Sequence, residues 1–153
     1  MFYRLHPSPL GPLLLAGDEQ GLQSLQMDAL APADGEPAGA RFDEVCRQLD
    51  EYFAARRQVF DLPLAPRGTA FQQQVWQGLR AIPYGHTCSY GELAQRIGNP
   101  GGMRAVGMAN NANPIAIIIP CHRVIGSDGS LTGYASGIER KHQLLVLEGA
   151  WLL

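Results

Sequence analysis

The stretch that decides the fold is Ile117-Ile118-Ile119-Pro120-Cys121-His122-Arg123-Val124, which reads IIIPCHRV. Its apolar run is typical of a buried β-strand, and Pro120 predicts that this strand ends where the thiol and the imidazole follow. A cysteine at the end of an element can face a cleft, and the neighbouring His122 and Arg123 would favour its thiolate. A lone cysteine is more often a structural thiol, so the octapeptide by itself leaves a reactive and an inert Cys121 open.

The composition indicates a globular protein with free thiols. The chain has 153 residues, 46% of them hydrophobic, which suits one ordinary domain or two small ones. Three scattered cysteines, Cys46, Cys88 and Cys121, form no CxxC pair and predict a reducing, cytoplasmic environment. No run approaches the roughly 18 apolar residues of a membrane span, so no membrane role is expected.

The net charge of −2 is unevenly distributed. Residues 1–66 hold 5 Lys and Arg against 10 Asp and Glu, whereas residues 67–153 hold 7 against 4. The second part, at +3, is the better candidate for binding a polyanion, although solvated surfaces of proteins that bind nothing reach the same value.

The first 66 residues predict a small α/β domain. Three short runs bounded by Pro, Gly and Asp are typical of strands in an antiparallel meander: residues 2–5, 11–16 and 22–27. Residues 28–39 are rich in Ala, Pro and Gly and predict a loop. Apolar residues then recur at helical spacing through 40–57, which places Cys46 in a core. A proline-rich segment at 62–68 separates this domain from the next.

The second domain, residues 67–153, is predicted to be mainly helical. Three capping boxes indicate helix starts: Thr69 with Gln72, Ser89 with Glu92, and Ser136 with Glu139. A tight turn at 99–102 joins the second of these helices to another at 103–111, which matches a helix-turn-helix. The fold class is therefore α/β (α+β), a small N-terminal antiparallel sheet with a helix followed by a helical domain containing a helix-turn-helix.

The second helix of this pair consists mostly of small residues. It reads Met103-Arg104-Ala105-Val106-Gly107-Met108-Ala109-Asn110-Asn111, with one basic side chain near its start. Small residues allow either close packing against another helix or a seat in the minor groove of DNA, with Arg104 reaching into the base stack.

A carboxylate could complete a catalytic arrangement around the thiol. Glu148 lies at the end of the last predicted helix, from which it could orient His122. Cys, His and Glu together form an activated nucleophile with an oriented base. Spacing alone does not show that the three side chains meet.

The chain resembles the O6-alkylguanine-DNA alkyltransferases, the methylated-DNA–protein-cysteine methyltransferases. The resemblance covers residues 69–150, whereas the first 66 residues fit only loosely. It is carried by Ile82-Pro83-Tyr84-Gly85, Ser89-Tyr90-Gly91-Glu92-Leu93-Ala94, Arg104-Ala105-Val106-Gly107, Asn113-Pro114, Pro120-Cys121-His122-Arg123-Val124, Gly133-Tyr134 and Leu147-Glu148-Gly149.

The resemblance implies a single-turnover transfer of the alkyl group from O6-alkylguanine, and from O4-alkylthymine, to Cys121. His122, held by Glu148, would take the thiol proton through a water molecule. Tyr90 would protonate N3 of the leaving guanine and crowd the 3′ phosphate, and Asn113 would bridge the recognition helix to the active-site segment.

The implied partner is double-stranded DNA, bound in the minor groove with the damaged nucleotide flipped into a pocket. Tyr134, Val124 and Ser136 would form that base pocket. The residues expected to contact DNA are Arg104, Ala105, Gly107, Met108, Asn111, Tyr90, Thr69, Ser89 and Arg123. We expect a monomer that can assemble cooperatively on DNA, with no cofactor and no metal, because no nucleotide-binding motif or zinc-ligand spacing is present.

Two departures from the family pattern and three alternatives stay open. Asn110 and Asn111 stand where some relatives carry a basic residue, which predicts weaker phosphate binding. The segment after Tyr134, Ala135-Ser136-Gly137, varies in the family and leaves the tolerated alkyl size open. The alternatives are a Cys-His-Glu hydrolase, a DNA-damage-binding protein or regulator without efficient transfer, and a purely structural domain.

Overall fold

The computed structural model describes residues 1–152, and the chain divides into two compact units, Met1–Arg67 and Gly68–Leu153. In the first unit, three strands form the predicted antiparallel meander: β1 (Phe2–His6), β2 (Leu13–Asp18) and β3 (Gly21–Met27). The segment 28–39, predicted to be a loop, adds a short strand β4 (Glu36–Pro37) that pairs in parallel with β1. The sheet order is therefore β3-β2-β1-β4.

One helix contributes a buried apolar face to the core of the first unit. A 3-10 turn at Gly39–Phe42 leads into α1 (Asp43–Phe53), whose buried face includes Val45, Cys46 and Leu49. These positions follow the i, i+4 spacing that keeps side chains on one side of a helix. Cys46 is therefore a core residue, as its spacing predicts.

The second unit contains four α-helices in the part of the chain that the structure describes. They are α2 (Ala70–Arg80), α3 (Tyr90–Arg96), α4 (Met103–Asn111) and α5 (Ile138–Leu147). A small parallel pair, β5 (Cys88–Ser89) and β6 (Val124–Ile125), joins the segment before α3 to the segment after Cys121. The helices α3 and α4 pack together and both pack on α2, which is the predicted helix-turn-helix arrangement with a supporting helix. None of the helices described is long and apolar enough to cross a bilayer.

Two of the three predicted capping boxes are present. Thr69 and Ser89 each accept a hydrogen bond from the third residue of their helix, whose side chain bonds back to the cap. The third box is wrong: the residue before α5 is Gly137, which has φ of 100° and no capping side chain. This left-handed backbone leaves Ser136 one residue too early to serve as the cap.

The predicted strand at Ile117–Ile119 is also wrong. Ile117 has φ of 73°, a left-handed conformation that is unusual for a β-branched residue and costs on the order of 1–3 kcal/mol. Pro120 then forms an inverse γ-turn, with φ of −81° and ψ of 65°, in which the amide of Cys121 donates to the Ile119 carbonyl at 2.8 Å. The isoleucines are buried, so the run is hydrophobic because it is a core turn and not because it is a strand.

The helix α4 is anchored to α2 by one buried aromatic residue. Trp76 of α2 is 2% exposed, and its indole N–H donates to the carbonyl of Ala109 at 2.9 Å. The bond satisfies one of the last carbonyls of α4, which have no partner within the helix.

We predict that Trp76→Phe lowers the free energy of unfolding by about 1–3 kcal/mol, because the buried Ala109 carbonyl loses its donor while most of the apolar volume stays. Urea unfolding followed by circular dichroism measures the change. Gln77→Ala, on the exposed side of the same helix, serves as the control and should change little. Equal stability of the two variants would contradict the anchoring role of the indole.

Candidate active site

The thiol of Cys121 lies in a 3-10 turn, Cys121–Arg123, directly after the turn at Pro120. The residue is 7% exposed. Burial raises the pKa of the Cys121 thiol, while a hydrogen bond from the Asn113 side chain and the charge of Lys141 act in the opposite direction. The thiol is therefore protonated at rest, so a nucleophilic role for Cys121 would require a base.

The side chain of Asn113 fixes the chain on both sides of the isoleucine turn. Its amide nitrogen donates to the Ile119 carbonyl at 2.8 Å, and its oxygen accepts from the amide of Ile115 at 3.0 Å. Asn113 follows α4 by two residues, so these bonds connect the end of the recognition helix to the segment that carries Cys121.

His122 is completely buried, and its partner determines its tautomer. Nε2 lies 2.8 Å from Oε2 of Glu148, so Nε2 carries the proton and donates a hydrogen bond to the carboxylate. Burial lowers the pKa of His122, opposed by the bond to Glu148, which leaves a neutral ring. Among residues 1–152, Nδ1 has no hydrogen-bond partner, so its lone pair is available as a base.

Glu148 is shared between His122 and Arg123. The guanidinium of Arg123 donates to the carboxylate from Nε at 2.8 Å and from Nη2 at 3.0 Å, and its Nη1 donates to the Ile82 carbonyl at 2.7 Å. Burial raises the pKa of Glu148, but the hydrogen bonds and charges of His122 and Arg123 outweigh burial and lower it to about 2.

This arrangement corrects the assignment of Arg123 to the DNA-contacting residues. The side chain is buried, and its donors point into the unit, so it does not present its charge to a phosphate. Its charge is also neutralised by Glu148, so it does not act as the free positive neighbour that the sequence suggested for Cys121.

Tyr90 is held by the carbonyl of Thr132. It is the first residue of α3, and its hydroxyl donates to this oxygen at 3.0 Å. Burial raises its pKa, so the phenol keeps its proton at neutral pH. The adjacent Gly133 has φ of 66°, and a Cβ there would lie 2.9 Å from the Tyr90 hydroxyl, so a side chain at this position would displace Tyr90.

The residues predicted to form the base pocket all follow Cys121 in the sequence. Val124 is fully buried in β6, and Tyr134 is buried with its hydroxyl lacking a hydrogen-bond partner within the described residues. Burial raises the pKa of Tyr134 well above its ordinary value, so the hydroxyl is neutral and able to donate. Ser136 is half-buried before α5, where its carbonyl accepts from Arg140.

The exposed face of α4 carries four of the nine residues predicted to contact DNA. The exposed members are Arg104, Ala105, Met108 and Asn111, and Met108 is 69% exposed. Gly107 is half-buried, and a Cβ there would lie 3.8 Å from the Tyr90 ring, an ordinary contact. Close packing within the unit therefore does not require glycine at position 107.

Thr69 and Ser89 occupy roles that local structure explains, whereas Asn110 does not. The oxygens of Thr69 and Ser89 accept the capping bonds of α2 and α3. Asn110 is only 1% exposed, and neither of its amide atoms has a partner in the part of the chain that the structure describes. The side chain of Asn110 therefore does not reach the surface, and the weaker phosphate binding expected from the absence of a basic residue at 110 and 111 stays a prediction.

Sequence reasoning missed Lys141. Its side chain is fully buried in α5, and its ammonium donates to the Thr132 carbonyl at 2.6 Å, the same oxygen that Tyr90 uses. The signal was available: Lys141 lies three, four and seven residues before Leu144, Leu145 and Glu148, which places it on the buried stripe of the helix.

Within residues 1–152, no group of three or more His, Cys, Asp or Glu side chains is arranged to hold a metal ion. The three cysteines are free and buried. The second unit combines a helix-turn-helix with a buried thiol, a neutral imidazole and a fixed carboxylate, which is the combination expected of a DNA-directed group-transfer protein.

Comparisons with known proteins agree with this class. Residues 1–66 match the model for the 6-O-methylguanine DNA methyltransferase ribonuclease-like domain, and residues 70–150 match the model for the 6-O-methylguanine DNA methyltransferase DNA binding domain. The chain belongs to the 6-O-methylguanine DNA methyltransferase family.

Curated relatives and solved structures are similar over nearly the whole length. The methylated-DNA–protein-cysteine methyltransferase of Methanosarcina acetivorans is 53% identical over 155 residues, covering 98% of this chain and 99% of the relative. The Mycobacterium tuberculosis protein of the same name is 53% identical over 95% of this chain and 91% of its own length. The crystal structure of Mycobacterium tuberculosis OGT in complex with DNA superimposes with a TM-score of 0.92 at 52% identity, covering 97% of this chain and 93% of that one.

We predict that Glu148→Gln lowers the free energy of unfolding at pH 7 by about 3–5 kcal/mol, because it leaves the buried Arg123 cation without its counter-charge. The pH dependence has a definite sign. The folded-state pKa of Glu148, about 2, lies below the unfolded value. Its contribution is therefore complete above the unfolded pKa of about 4.3 and is lost as the pH falls from there towards 2.

Urea unfolding at pH 7 and at pH 3 tests this prediction. The variant should lose less stability than the wild type between the two pH values, whereas Glu139→Gln, an exposed change in the same helix, should follow the wild type. An identical pH dependence in the wild type and in Glu148→Gln would contradict the buried ion pair.

Proposed function

We propose that this protein repairs alkylated DNA by transferring the alkyl group of O6-alkylguanine, and of O4-alkylthymine, to Cys121 in a single turnover. His122 takes the thiol proton, through a bridging water, as the sulfur attacks the alkyl carbon. The S–C bond forms while the C–O6 bond breaks, and the electron pair of that bond leaves with guanine. The thioether is not hydrolysed, so each chain reacts once.

The hydrogen bond between His122 and Glu148 is the observation that carries this proposal. It holds the proton on Nε2 and leaves the Nδ1 lone pair available within a site that also keeps Cys121 protonated. A neutral thiol beside a neutral, oriented imidazole is the resting state that a base-assisted nucleophile requires. The carboxylate then stabilises the imidazolium that proton transfer creates.

The leaving guanine anion needs a proton, and Tyr90 is the donor we propose. Burial raises its pKa, so the phenol is protonated, and its hydroxyl donates to the Thr132 carbonyl until the base is bound. Donation to N3 leaves a tyrosinate and a protonated His122; the imidazolium then releases its proton to solvent and Tyr90 takes one up, which restores both residues and balances the reaction. Tyr134 and Val124 line the base pocket, with Ser136 at its mouth, and Asn113 holds the active-site segment against α4.

Ala105 and Gly107 on the outer side of α4 support binding in the minor groove. Neither has a bulky side chain, and glycine at 107 is not required by internal packing; the exposed residues beside them are Met103, Arg104, Met108 and Asn111. A helix of this kind approaches a narrow groove closely, and Arg104 fills the gap in the stack when the damaged nucleotide is flipped out. Thr69 and Ser89, at the starts of α2 and α3, contact the phosphates beside it.

The names of the relatives support the same reaction, since they are methylated-DNA–protein-cysteine methyltransferases at 53% identity. The solved complex of the Mycobacterium tuberculosis relative contains DNA, which supports duplex DNA as the partner. The free thiols are those of a reducing compartment, which supports a cytoplasmic location. We expect a monomer in solution that assembles cooperatively on DNA.

We predict that incubation with duplex DNA bearing O6-methylguanine adds the mass of one methylene unit to the peptide containing Cys121, and only once per chain. Intact-mass and peptide mass spectrometry measure the product. The variant Cys121→Ala should gain nothing, and Cys88→Ala, which removes another buried thiol, should react like the wild type. Repeated turnover would favour a hydrolase, and binding without a mass gain would favour a damage-binding protein.

We predict that Arg104→Ala slows transfer from duplex DNA by roughly 10- to 100-fold, because the stack loses the side chain that fills it. Transfer from the free base analogue O6-benzylguanine, which needs no flipping, should change little. Single-turnover rates on both substrates give the comparison, with Arg80→Ala, an exposed arginine at the end of α2, as the control. Equal losses on the two substrates would rule out a role in flipping.

A further inference from the structure

Lys141 is a buried cation without a carboxylate partner. Its side chain is 0% exposed, and among the described residues no Asp or Glu forms an ion pair with it. Removing an ammonium group from water costs several kcal/mol unless an opposite charge compensates. Such a group in a site that also holds a nucleophile is a candidate for a functional role.

The hydrogen bond of Lys141 places it in the structure that holds Tyr90. The carbonyl oxygen of Thr132 accepts from the ammonium at 2.6 Å and from the Tyr90 hydroxyl at 3.0 Å. The ammonium also lies 6.0 Å from the centroid of the Tyr90 ring. Gly133 follows in a left-handed conformation, close to the same hydroxyl. Lys141 therefore holds the Thr132 carbonyl oxygen that accepts the hydrogen bond of Tyr90.

The charge of Lys141 also acts on the thiol. Burial lowers the pKa of Lys141 to about 8, whereas the charge of Cys121 raises it. Reciprocally, Lys141 lowers the pKa of Cys121. Of the other charges nearby, Glu148 and Arg123 pair with each other and act on His122, on which Lys141 has a smaller effect than either.

We propose that Lys141 is a positioning residue of the transfer reaction, whose ammonium holds the Thr132 carbonyl against Tyr90 and supplies the counter-charge of the Cys121 thiolate. The proposal rests on the proposed function. In the resting protein the ammonium has no anion to compensate it. When the sulfur loses its proton towards His122, the thiolate becomes that anion and the unfavourable burial of Lys141 is relieved. The charge thus stabilises the reactive state more than the resting state.

The pH dependence follows from the titration of this group. Below about pH 8 the ammonium is charged and supports the thiolate, and above it the charge is lost. Transfer from O6-benzylguanine by the wild type should therefore fall as the pH rises through about 8. This measurement needs no variant, so it tests the proposal even where a substitution disturbs folding.

The variant Lys141→Met keeps the length and apolar stem of the side chain and removes the charge. Replacing an uncompensated buried charge by an apolar group is neutral or stabilising, so urea unfolding should show unchanged or higher stability. At pH 7, transfer from O6-benzylguanine should nevertheless slow by about 10-fold or more. Its rate should no longer fall above pH 8. Arg80→Ala, which removes an exposed cation of the same unit, should keep both the rate and the pH profile.

A direct readout of the thiolate completes the experiment. The absorbance of the thiolate near 240 nm, taken as the difference between a chain and the same chain carrying Cys121→Ser, should titrate at higher pH in Lys141→Met than in the wild type. A rate that declines only in proportion to stability, with an unchanged pH profile and thiolate titration, would assign Lys141 a structural role and overturn the proposal. If the wild type transfers the alkyl group once and Lys141→Met behaves in the same way, this proposal alone is overturned. If the wild type transfers no alkyl group to Cys121, the proposed function is overturned as well.

Discussion

The carboxylate of Glu148 joins three parts of the second unit through hydrogen bonds that are all buried. It lies at the end of α5, accepts from His122 and Arg123 in the turn that carries Cys121, and through Arg123 reaches the carbonyl of Ile82 beyond α2. Burying these charges costs several kcal/mol each, and an apolar cluster of the same volume would stabilise the fold at least as well. An apolar cluster would not, however, hold an imidazole in one tautomer. The buried hydrogen-bond network around Glu148 is therefore explained by the chemistry of His122 and not by stability.

Local features of the site could be predicted because local sequence determines them. The capping boxes at Thr69 and Ser89 and the bounds of α4 depend on residues within one helical turn, and the structure contains them as predicted. The antiparallel meander of the first unit follows in the same way from alternation and turn residues. The resemblance to a family then assigned roles to Cys121 and Tyr90 that no periodicity could supply, because those roles depend on a bound substrate.

The errors arose where tertiary contacts decide the conformation. An isoleucine run has the same hydrophobicity in a strand and in a core turn, and the bonds from Asn113 select the turn. Arg123 carries a charge that sequence assigns to the surface, but a carboxylate 25 residues further along the chain draws it inside. Lys141 differs from these two cases, because its helical spacing predicts burial, and only its sharing of one carbonyl oxygen with a tyrosine from a different helix depends on tertiary contacts.

The burial of Cys121 has a consequence for the lifetime of the protein before it meets damage. A chain that is consumed by one reaction is wasted whenever a bystander electrophile or an oxidant reaches its sulfur first. Oxidation and alkylation of cysteine require an accessible thiolate, whereas Cys121 is 7% exposed and its thiol is protonated at rest. The same desolvation that makes a nucleophilic role of this thiol depend on a base thus preserves the unreacted chain, so that its single equivalent of reactivity is kept for a substrate that fills the site.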